Sequence, residues 1–279
     1  MRSTWLKRVQ LPVFFLLCLS ISWAIWIPEA IARLENRPTA AAGGGLADML
    51  AVWAPALVGA LLSLLTSGRA GWRALLQPLR RWRVGLHWYL FALLYPAAVW
   101  LAARGIDTLI GRTYAYSMPI LTYFPADQPW MIPIALVFAF PNTLGEEVGW
   151  RGFALPHLQA RSNALASSLA LGLFWGVWHI PLWMASGRTI PELATMVITL
   201  VAAAILFTWI YNNTGGSLLV AWLFHAATTI TQYFLQPVVT PTDDILRWGV
   251  AALVVIVAGS AHLSRRHTRI ASLAEPATA

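Results

Sequence analysis

The sequence has little charge, one lysine and one cysteine. Only 11% of its 279 residues are charged and 58% are hydrophobic, whereas soluble domains average about 25% charged residues. This shortage of charge excludes an ordinary soluble domain and predicts an integral membrane protein. The single cysteine, Cys18, excludes an internal disulfide and a thiolate zinc cluster. Almost every basic residue is an arginine, a preference that indicates a bacterial protein with high genomic GC content.

Sequence motifs of soluble enzymes are also missing. The chain has no H-E-x-x-H, no P-loop, no G-x-S-x-G and no glycine-rich dinucleotide motif. No internal repeat is present. The net charge of +8 comes from basic residues scattered at the ends of apolar segments, which is typical of loops that face anionic lipid. The lipid bilayer is therefore an expected partner and nucleic acid is not.

Long apolar runs predict an all-α fold, a polytopic bundle of about eight transmembrane helices with no β domain. A spanning helix needs about 20 apolar residues, and Pro141 is expected to kink the fourth candidate because proline removes a backbone hydrogen bond. The candidates are 11–30, 46–65, 86–103, 130–145 or beyond, 164–184, 193–211, 217–235 and 247–261.

The arginines predict the orientation. With the N-terminus in the cytoplasm, most basic residues lie on inner segments and most acidic residues on outer ones. Both termini are therefore expected in the cytoplasm and the protein in a bacterial plasma membrane. The first apolar run is longer than a signal-peptide core and contains Trp23 and Trp26, so we expect it to be retained as a helix.

We divide this single membrane domain into three regions. Residues 1–125 hold the first three helices and a basic amphipathic segment at 69–85, expected on the cytoplasmic membrane surface. Residues 126–236 hold helices four to seven and form the core. Residues 237–279 hold the last helix and a basic cytoplasmic tail.

Two adjacent carboxylates, Glu146 and Glu147, end the fourth apolar run, and no other acidic residue lies between Asp127 and Glu192. A carboxylate at membrane depth costs a few kcal/mol. Glu147 precedes Arg151 by four residues, which predicts a helical ion pair. Glu146 points about 100° away around the helix and has no predicted local partner, so it is the candidate for work on a water. Alternatively, both acids pair with cations from other helices.

Two histidines lie in equally apolar surroundings. His179 follows Trp175 by one helical turn, and Pro181 is expected to break the helix and free backbone groups that line a cavity. His225 precedes Thr229 by one turn, an arrangement that suits donors aimed at an oxyanion. The alternatives are a satisfied core histidine for the first and a helix–helix hydrogen bond for the second.

Counting 1.5 Å of rise per residue from the inner helix ends gives unequal depths for these groups. Glu146 and His225 are expected at roughly 15 Å and His179 at roughly 22 Å. Bringing His179 to Glu146 therefore requires a tilted helix, or a fifth helix that starts within the protein.

Together these motifs resemble those of the CPBP family, which comprises the type II CAAX prenyl endopeptidases and the bacterial CAAX-protease and bacteriocin-processing (Abi) proteins. The resemblance covers residues 130–234 and consists of three motifs in order. They are E-E-x-x-x-R, an aromatic residue four positions before a histidine, and a histidine four positions before Asn or a small substitute. Here they are Glu146, Glu147 and Arg151; Trp175, where the family more often has Phe, and His179; His225 and Thr229.

The resemblance implies an intramembrane endopeptidase that hydrolyses membrane-embedded or membrane-associated proteins or peptides. Glu146 and His179 would activate the attacking water, with Glu146 as general base. His225, helped by Thr229, would stabilise the oxyanion. Thr229 replaces the family's Asn and has a shorter reach. The implied supporting residues are Glu147, Arg151 and Trp175.

Alternatives remain for the cofactor and for the function. Glu146, His179 and His225 supply three ligands for a catalytic zinc with a free position for water, although we favour chemistry without a metal or other cofactor. A non-catalytic scaffold or immunity protein of the same fold is the second functional hypothesis. A proton-coupled transporter is the third, and the lack of a repeat weighs against it. The motifs do not specify the natural substrate or the oligomeric state.

Overall fold

The computed structural model describes residues 2–37, 46–113, 130–235 and 239–264, without the side chains of 2–4, 131, 132 and 134–139. These residues form helices and no strand, so the predicted all-α fold is confirmed. The basic tail predicted after the last helix lies outside the described residues. The helices are α1 (Arg2–Leu34), α2 (Leu46–Leu76), α3 (Leu86–Leu109), α4 (Met131–Glu147), α5 (Leu155–Gln159), α6 (Ala164–Ala185), α7 (Ile190–Asn213), α8 (Leu218–Phe234) and α9 (Pro241–Ala258).

Five of the described helical segments are long and apolar enough to cross a membrane. They are Trp5–Leu34, Leu46–Arg80, Leu86–Leu109, Ala164–Ala185 and Ile190–Asn213. Helices also occupy the three other predicted positions, but α4, α8 and α9 have only 17, 17 and 18 residues. The protein is therefore a polytopic, integral membrane helical bundle.

A π-helical turn, Val148–Ala154, follows α4 directly and leads into α5. The apolar pattern of the sequence predicts continued helix here but not this wider turn. Gly149 lets the turn press against α2, because a Cβ at this position would lie 2.2 Å from Pro55 Cβ. Such π turns inside helices occur frequently at functional sites. This one lies between Glu147 and α5 and contains Arg151.

The prediction that Pro181 breaks its helix is wrong, because α6 continues through it to Ala185. The ring removes only one backbone donor, and α1 supports the helix just before it. Trp178 is fully buried and donates its indole N–H to Ser22 Oγ at 2.8 Å. Trp23 in turn donates to the Trp178 carbonyl at 3.1 Å. Contacts between helices thus keep α6 continuous beside His179.

Candidate active site

Glu146 is buried, with 6% of its surface exposed, and two indoles donate to it. Trp175 Nε1 on α6 lies 2.6 Å from Glu146 Oε2, and Trp150 Nε1 on the π turn lies 3.3 Å from the same oxygen. The prediction that Glu146 has no local partner is therefore wrong. Hydrogen bonds to an ionised group are the strong ones, so these donors hold the carboxylate in one place without neutralising it.

His179 approaches the same carboxylate oxygen. Its Nε2 lies 3.9 Å from Glu146 Oε2, while Nδ1 lies 2.9 Å from the Trp175 carbonyl. Since a carbonyl only accepts, Nδ1 carries the hydrogen, and in a neutral ring Nε2 presents its lone pair. Trp183 stacks on the imidazole at 5.0 Å and 9°. The depth mismatch expected from straight helices does not keep the two groups apart, because counting along an axis ignores tilt and the π turn.

The predicted ion pair between Glu147 and Arg151 is confirmed. Arg151 Nη1 lies 2.8 Å from Glu147 Oε1, and both side chains are fully buried. The guanidinium also lies over two rings, with its Cζ 4.5 Å from the centroid of Trp175 and 3.9 Å from that of Phe207. Cation–π contacts of this kind favour a desolvated arginine. The pair is thus built into the protein interior.

His225 binds the second glutamate of the pair. Its Nδ1 lies 2.8 Å from Glu147 Oε1, the oxygen that also accepts from Arg151. Glu147 therefore has a partner on another helix in addition to the predicted Arg151. Thr229 lies one turn further along α8 and is half-buried. No hydrogen bond of its hydroxyl joins it to the described part of the chain, so the structure does not bring it to a partner.

Trp175 joins the two halves of the site. Its N–H binds Glu146 and its carbonyl binds His179. Its ring lies under Arg151 and 5.4 Å from the ring of His225. Because phenylalanine has no N–H, the bond to Glu146 depends on the tryptophan at this position.

Several site residues were missed by the sequence analysis. Trp150 and Trp183 each lie four residues after a candidate, Glu146 and His179 respectively, so helical spacing was an available cue. Phe207 comes from α7, and nothing local in the sequence points to it. Asn142, one turn before Glu146, was also missed; its Oδ1 is buried and has no hydrogen-bond partner among the described residues.

The zinc alternative requires three ligands around one point. Among the residues that the structure describes, no group of three His, Cys, Asp or Glu side chains is spaced to hold a metal ion. Glu146 and His179 are close, and His225 has its Nδ1 on Glu147, which leaves its Nε2 as the nitrogen that could bind a metal. The zinc alternative therefore stays a hypothesis.

Comparison with known proteins adds the family. The model described as type II CAAX prenyl endopeptidase Rce1-like matches residues 128–231, a range that includes every site residue named above. A curated relative, CAAX prenyl protease 2 of Methanococcus maripaludis, is 28% identical over 131 residues, which are 44% of this chain and 47% of the relative. The match thus spans about half the length of that relative. The matched core of the chain is therefore similar to the core of the Rce1-like type II CAAX prenyl endopeptidases.

Proposed function

We propose that the protein is an intramembrane endopeptidase that hydrolyses peptide bonds of membrane-embedded or membrane-associated substrates. One observation carries the proposal: two proton acceptors, Glu146 Oε2 and His179 Nε2, lie 3.9 Å apart inside the bundle. This distance is too long for a direct hydrogen bond between the two atoms.

In the proposed site, a single water bridges these two acceptors. If the water oxygen lies about 2.8 Å from each acceptor, the angle between Glu146 Oε2, the water oxygen and His179 Nε2 is about 90°. This angle is within the range in which water donates both hydrogens. With both hydrogens engaged, a lone pair of the water oxygen is free to attack. The two indoles keep the Glu146 carboxylate aimed at this position.

In the proposed reaction, the water oxygen bonds to the scissile carbonyl carbon as Glu146 takes the water proton. The carbonyl π electrons move to the oxygen and give a tetrahedral oxyanion. When the oxyanion collapses, the C–N bond breaks and Glu146 returns the proton to the leaving amine. Water has then supplied both the new carboxylate oxygen and the amine proton, and the enzyme is unchanged.

The oxyanion donors in this proposal are His225 and Thr229. Because His225 Nδ1 is bonded to Glu147, its Nε2 donates to an oxyanion only when the ring carries both protons. Glu147 is the carboxylate that stabilises this imidazolium, and Arg151 holds Glu147 in place. Thr229 adds a hydroxyl one turn further along α8. Glu147 and Arg151 are thus positioning residues for the oxyanion donor.

The relative from Methanococcus maripaludis has the name of a CAAX prenyl protease. A prenylated CAAX peptide is therefore the first substrate to test. An unprenylated membrane-spanning peptide is the second, since the proposed chemistry needs only a peptide carbonyl at Glu146. Both classes keep the substrate next to the membrane. The mechanism uses no metal and no cofactor.

The test is peptide cleavage by the purified full chain in lipid nanodiscs, with new peptide ends identified by mass spectrometry. Glu146→Gln and His179→Ala should each lower turnover by on the order of 100-fold or more. Glu35→Gln and His87→Ala are matched controls, since both residues are exposed and remote from the site, and they should retain wild-type turnover.

The thermal unfolding midpoint of each variant shows whether it is folded. Turnover by Glu146→Gln equal to that of the wild type would reject the proposal. Binding of a membrane peptide without any cleavage, unchanged by Glu146→Gln, would favour the scaffold. Peptide or ion flux driven by a pH gradient, with no new peptide ends, would favour the transporter.

A further inference from the structure

The segment from Arg69 to Gly85, called here the basic segment, concentrates positive charge at one end of the bundle. No aspartate or glutamate lies between Asp48 and Asp107. The helix α2 bends at Gly68, whose φ of 59° favours glycine, so the basic segment departs from the axis of the span that precedes it. Its five arginines are Arg69, Arg73, Arg80, Arg81 and Arg83.

All five arginines are exposed, and within the described ranges none of them forms an ion pair with a carboxylate. Three exposed arginines elsewhere do have carboxylate partners: Arg37, Arg112 and Arg188 lie within 4.0 Å of Glu35, Asp107 and Glu192 respectively. The basic segment thus places five unpaired guanidinium groups within 15 residues of sequence.

Two exposed indoles accompany the unpaired charge. Trp72 is 41% exposed and Trp82 is 58% exposed, and the Arg83 guanidinium lies 5.0 Å from the Trp82 ring centroid. Tryptophan favours the headgroup region, where an apolar ring and a polar N–H are both satisfied. The Arg guanidinium matches phosphate oxygens with two parallel donors. Alternating Arg and Trp next to a membrane span therefore fit a lipid phosphate better than a soluble polyanion.

The inner face of the basic segment packs against two elements that carry site residues, the π turn and the start of α8. Leu75 is buried, and its Cδ1 would be 3.2 Å from a Cβ on Gly152, the residue after Arg151. Arg81 donates to the Gly215 carbonyl, and Ser217 Oγ donates to the Arg81 carbonyl at 2.7 Å. Ser217 caps α8, the helix that carries His225.

We propose that the basic segment binds the phosphates of anionic phospholipids and that this binding holds the π turn and the start of α8 in place. The outward arginines take the lipid headgroups, while Leu75 and Arg81 connect the bound segment to the two elements that carry Arg151 and His225. Occupation of this surface restrains the site without touching the substrate. The binding half of the proposal is independent of the proposed peptidase activity.

Native mass spectrometry of the full chain tests the binding, with phosphatidylglycerol or phosphatidylcholine added to the detergent-solubilised protein. The variant carries Arg69→Gln, Arg73→Gln and Arg83→Gln. The control carries Arg37→Gln, Arg112→Gln and Arg188→Gln, which removes the same charge from arginines that already have carboxylate partners. We expect the wild type and the control to retain phosphatidylglycerol, and the variant to bind it about tenfold more weakly or worse.

Three outcomes would overturn the binding. They are equal retention of the two lipids by the wild type, retention by the variant equal to that of the control, and displacement of the lipid by millimolar inorganic phosphate. The last would show a site for free phosphate instead of a lipid headgroup.

Hydrogen exchange in nanodiscs tests the connection to the site. Phosphatidylglycerol should slow amide exchange at Gly215 to Ala221 in the wild type and the control, relative to phosphatidylcholine, and should have no such effect in the variant. If phosphatidylglycerol binds but amide exchange is the same in both lipids, the proposed link between lipid binding and the active site would be overturned. The basic segment would then be only a lipid-binding surface.

Discussion

Trp175 donates its indole N–H to Glu146 at 2.6 Å while its ring lies 4.5 Å from the Arg151 guanidinium. The Trp175 side chain therefore positions Glu146, the proposed general base. It also packs against Arg151, the cation that neutralises Glu147. Its helix, α6, also supplies His179, so the spacing between the two proton acceptors depends on this contact between α4 and α6.

Replacing Trp175 with Phe keeps a ring and removes the N–H. A hydrogen bond to a charged group contributes about 1.5–3 kcal/mol, so we expect kcat/KM to fall by about tenfold to a hundredfold. Trp178→Phe is the control, because Trp178 is also buried on α6 but donates to Ser22. Trp178→Phe should lower the stability of the protein, but the folded variant should lose much less turnover than Trp175→Phe. Steady-state cleavage by the folded protein gives kcat/KM for both variants. A wild-type value in Trp175→Phe would show that the hydrogen bond from Trp175 to Glu146 is not needed for turnover.

Removing one partner of the buried pair of Glu147 and Arg151 should lower the free energy of unfolding far more than replacing both partners. Arg151→Met leaves Glu147 charged, buried and without its guanidinium, a change that costs about 3–5 kcal/mol. Glu147→Gln combined with Arg151→Met should recover part of that loss. Chemical unfolding in detergent gives the free energies, and equal losses in the single Met variant and the double variant would argue against a coupled pair. Both variants should cleave poorly, because the double variant removes the carboxylate that His225 binds and Arg151→Met removes the guanidinium that holds this carboxylate in place.

Thr229 lies where the resembled family has Asn, and its hydroxyl has no hydrogen-bond partner among the described residues. Thr229→Asn restores the longer carboxamide and should raise kcat by up to about tenfold if this position stabilises the oxyanion. Thr229→Val keeps the shape of the side chain but has no hydrogen-bond donor, and it should lower kcat. The same kcat in both variants would remove Thr229 from the proposed mechanism.

Gly149→Ala should destabilise the protein, because the added Cβ would lie 2.2 Å from Pro55 Cβ and the backbone must move. Overpacking of this kind costs about 1–3 kcal/mol. Gly249→Ala on α9 is the control, since its Cβ would meet no atom within 4 Å, and it should be neutral or stabilising by up to about 1 kcal/mol. Thermal midpoints in one detergent compare the two, and equal midpoints would mean that the close approach is not required.

Peptide cleavage should survive exhaustive chelation in a metal-free preparation, because the proposed water lies between Glu146 and His179 without a third ligand. Turnover that falls on chelation and returns with added zinc, in proportion to bound zinc, would replace this mechanism with the metal-dependent one. Elemental analysis of the purified protein provides the zinc content for that comparison.

Local spacing predicted those parts of the site that involve residues on the same helix. The pair of Glu147 and Arg151 follows from an i, i+4 separation with the acid first, and the π turn does not disrupt it. The local prediction of a helix break at Pro181 was wrong, because the effect of a proline on a helix depends on the residues packed around it. Contacts between helices, such as Trp175 with Glu146 or Phe207 with Arg151, have no local pattern.

The sequence by itself determined that this protein is a helical membrane protein with two buried carboxylates, because apolar length and the cost of charge in lipid act on each segment separately. It also determined which family motifs the helices carry. Only the tertiary structure decided how the glutamates are divided, with Glu146 facing Trp150, Trp175 and His179, and Glu147 facing Arg151 and His225. The physical reason is that helix tilt, rotation and the π turn result from packing between segments far apart in the chain, and partners across helices follow from that packing.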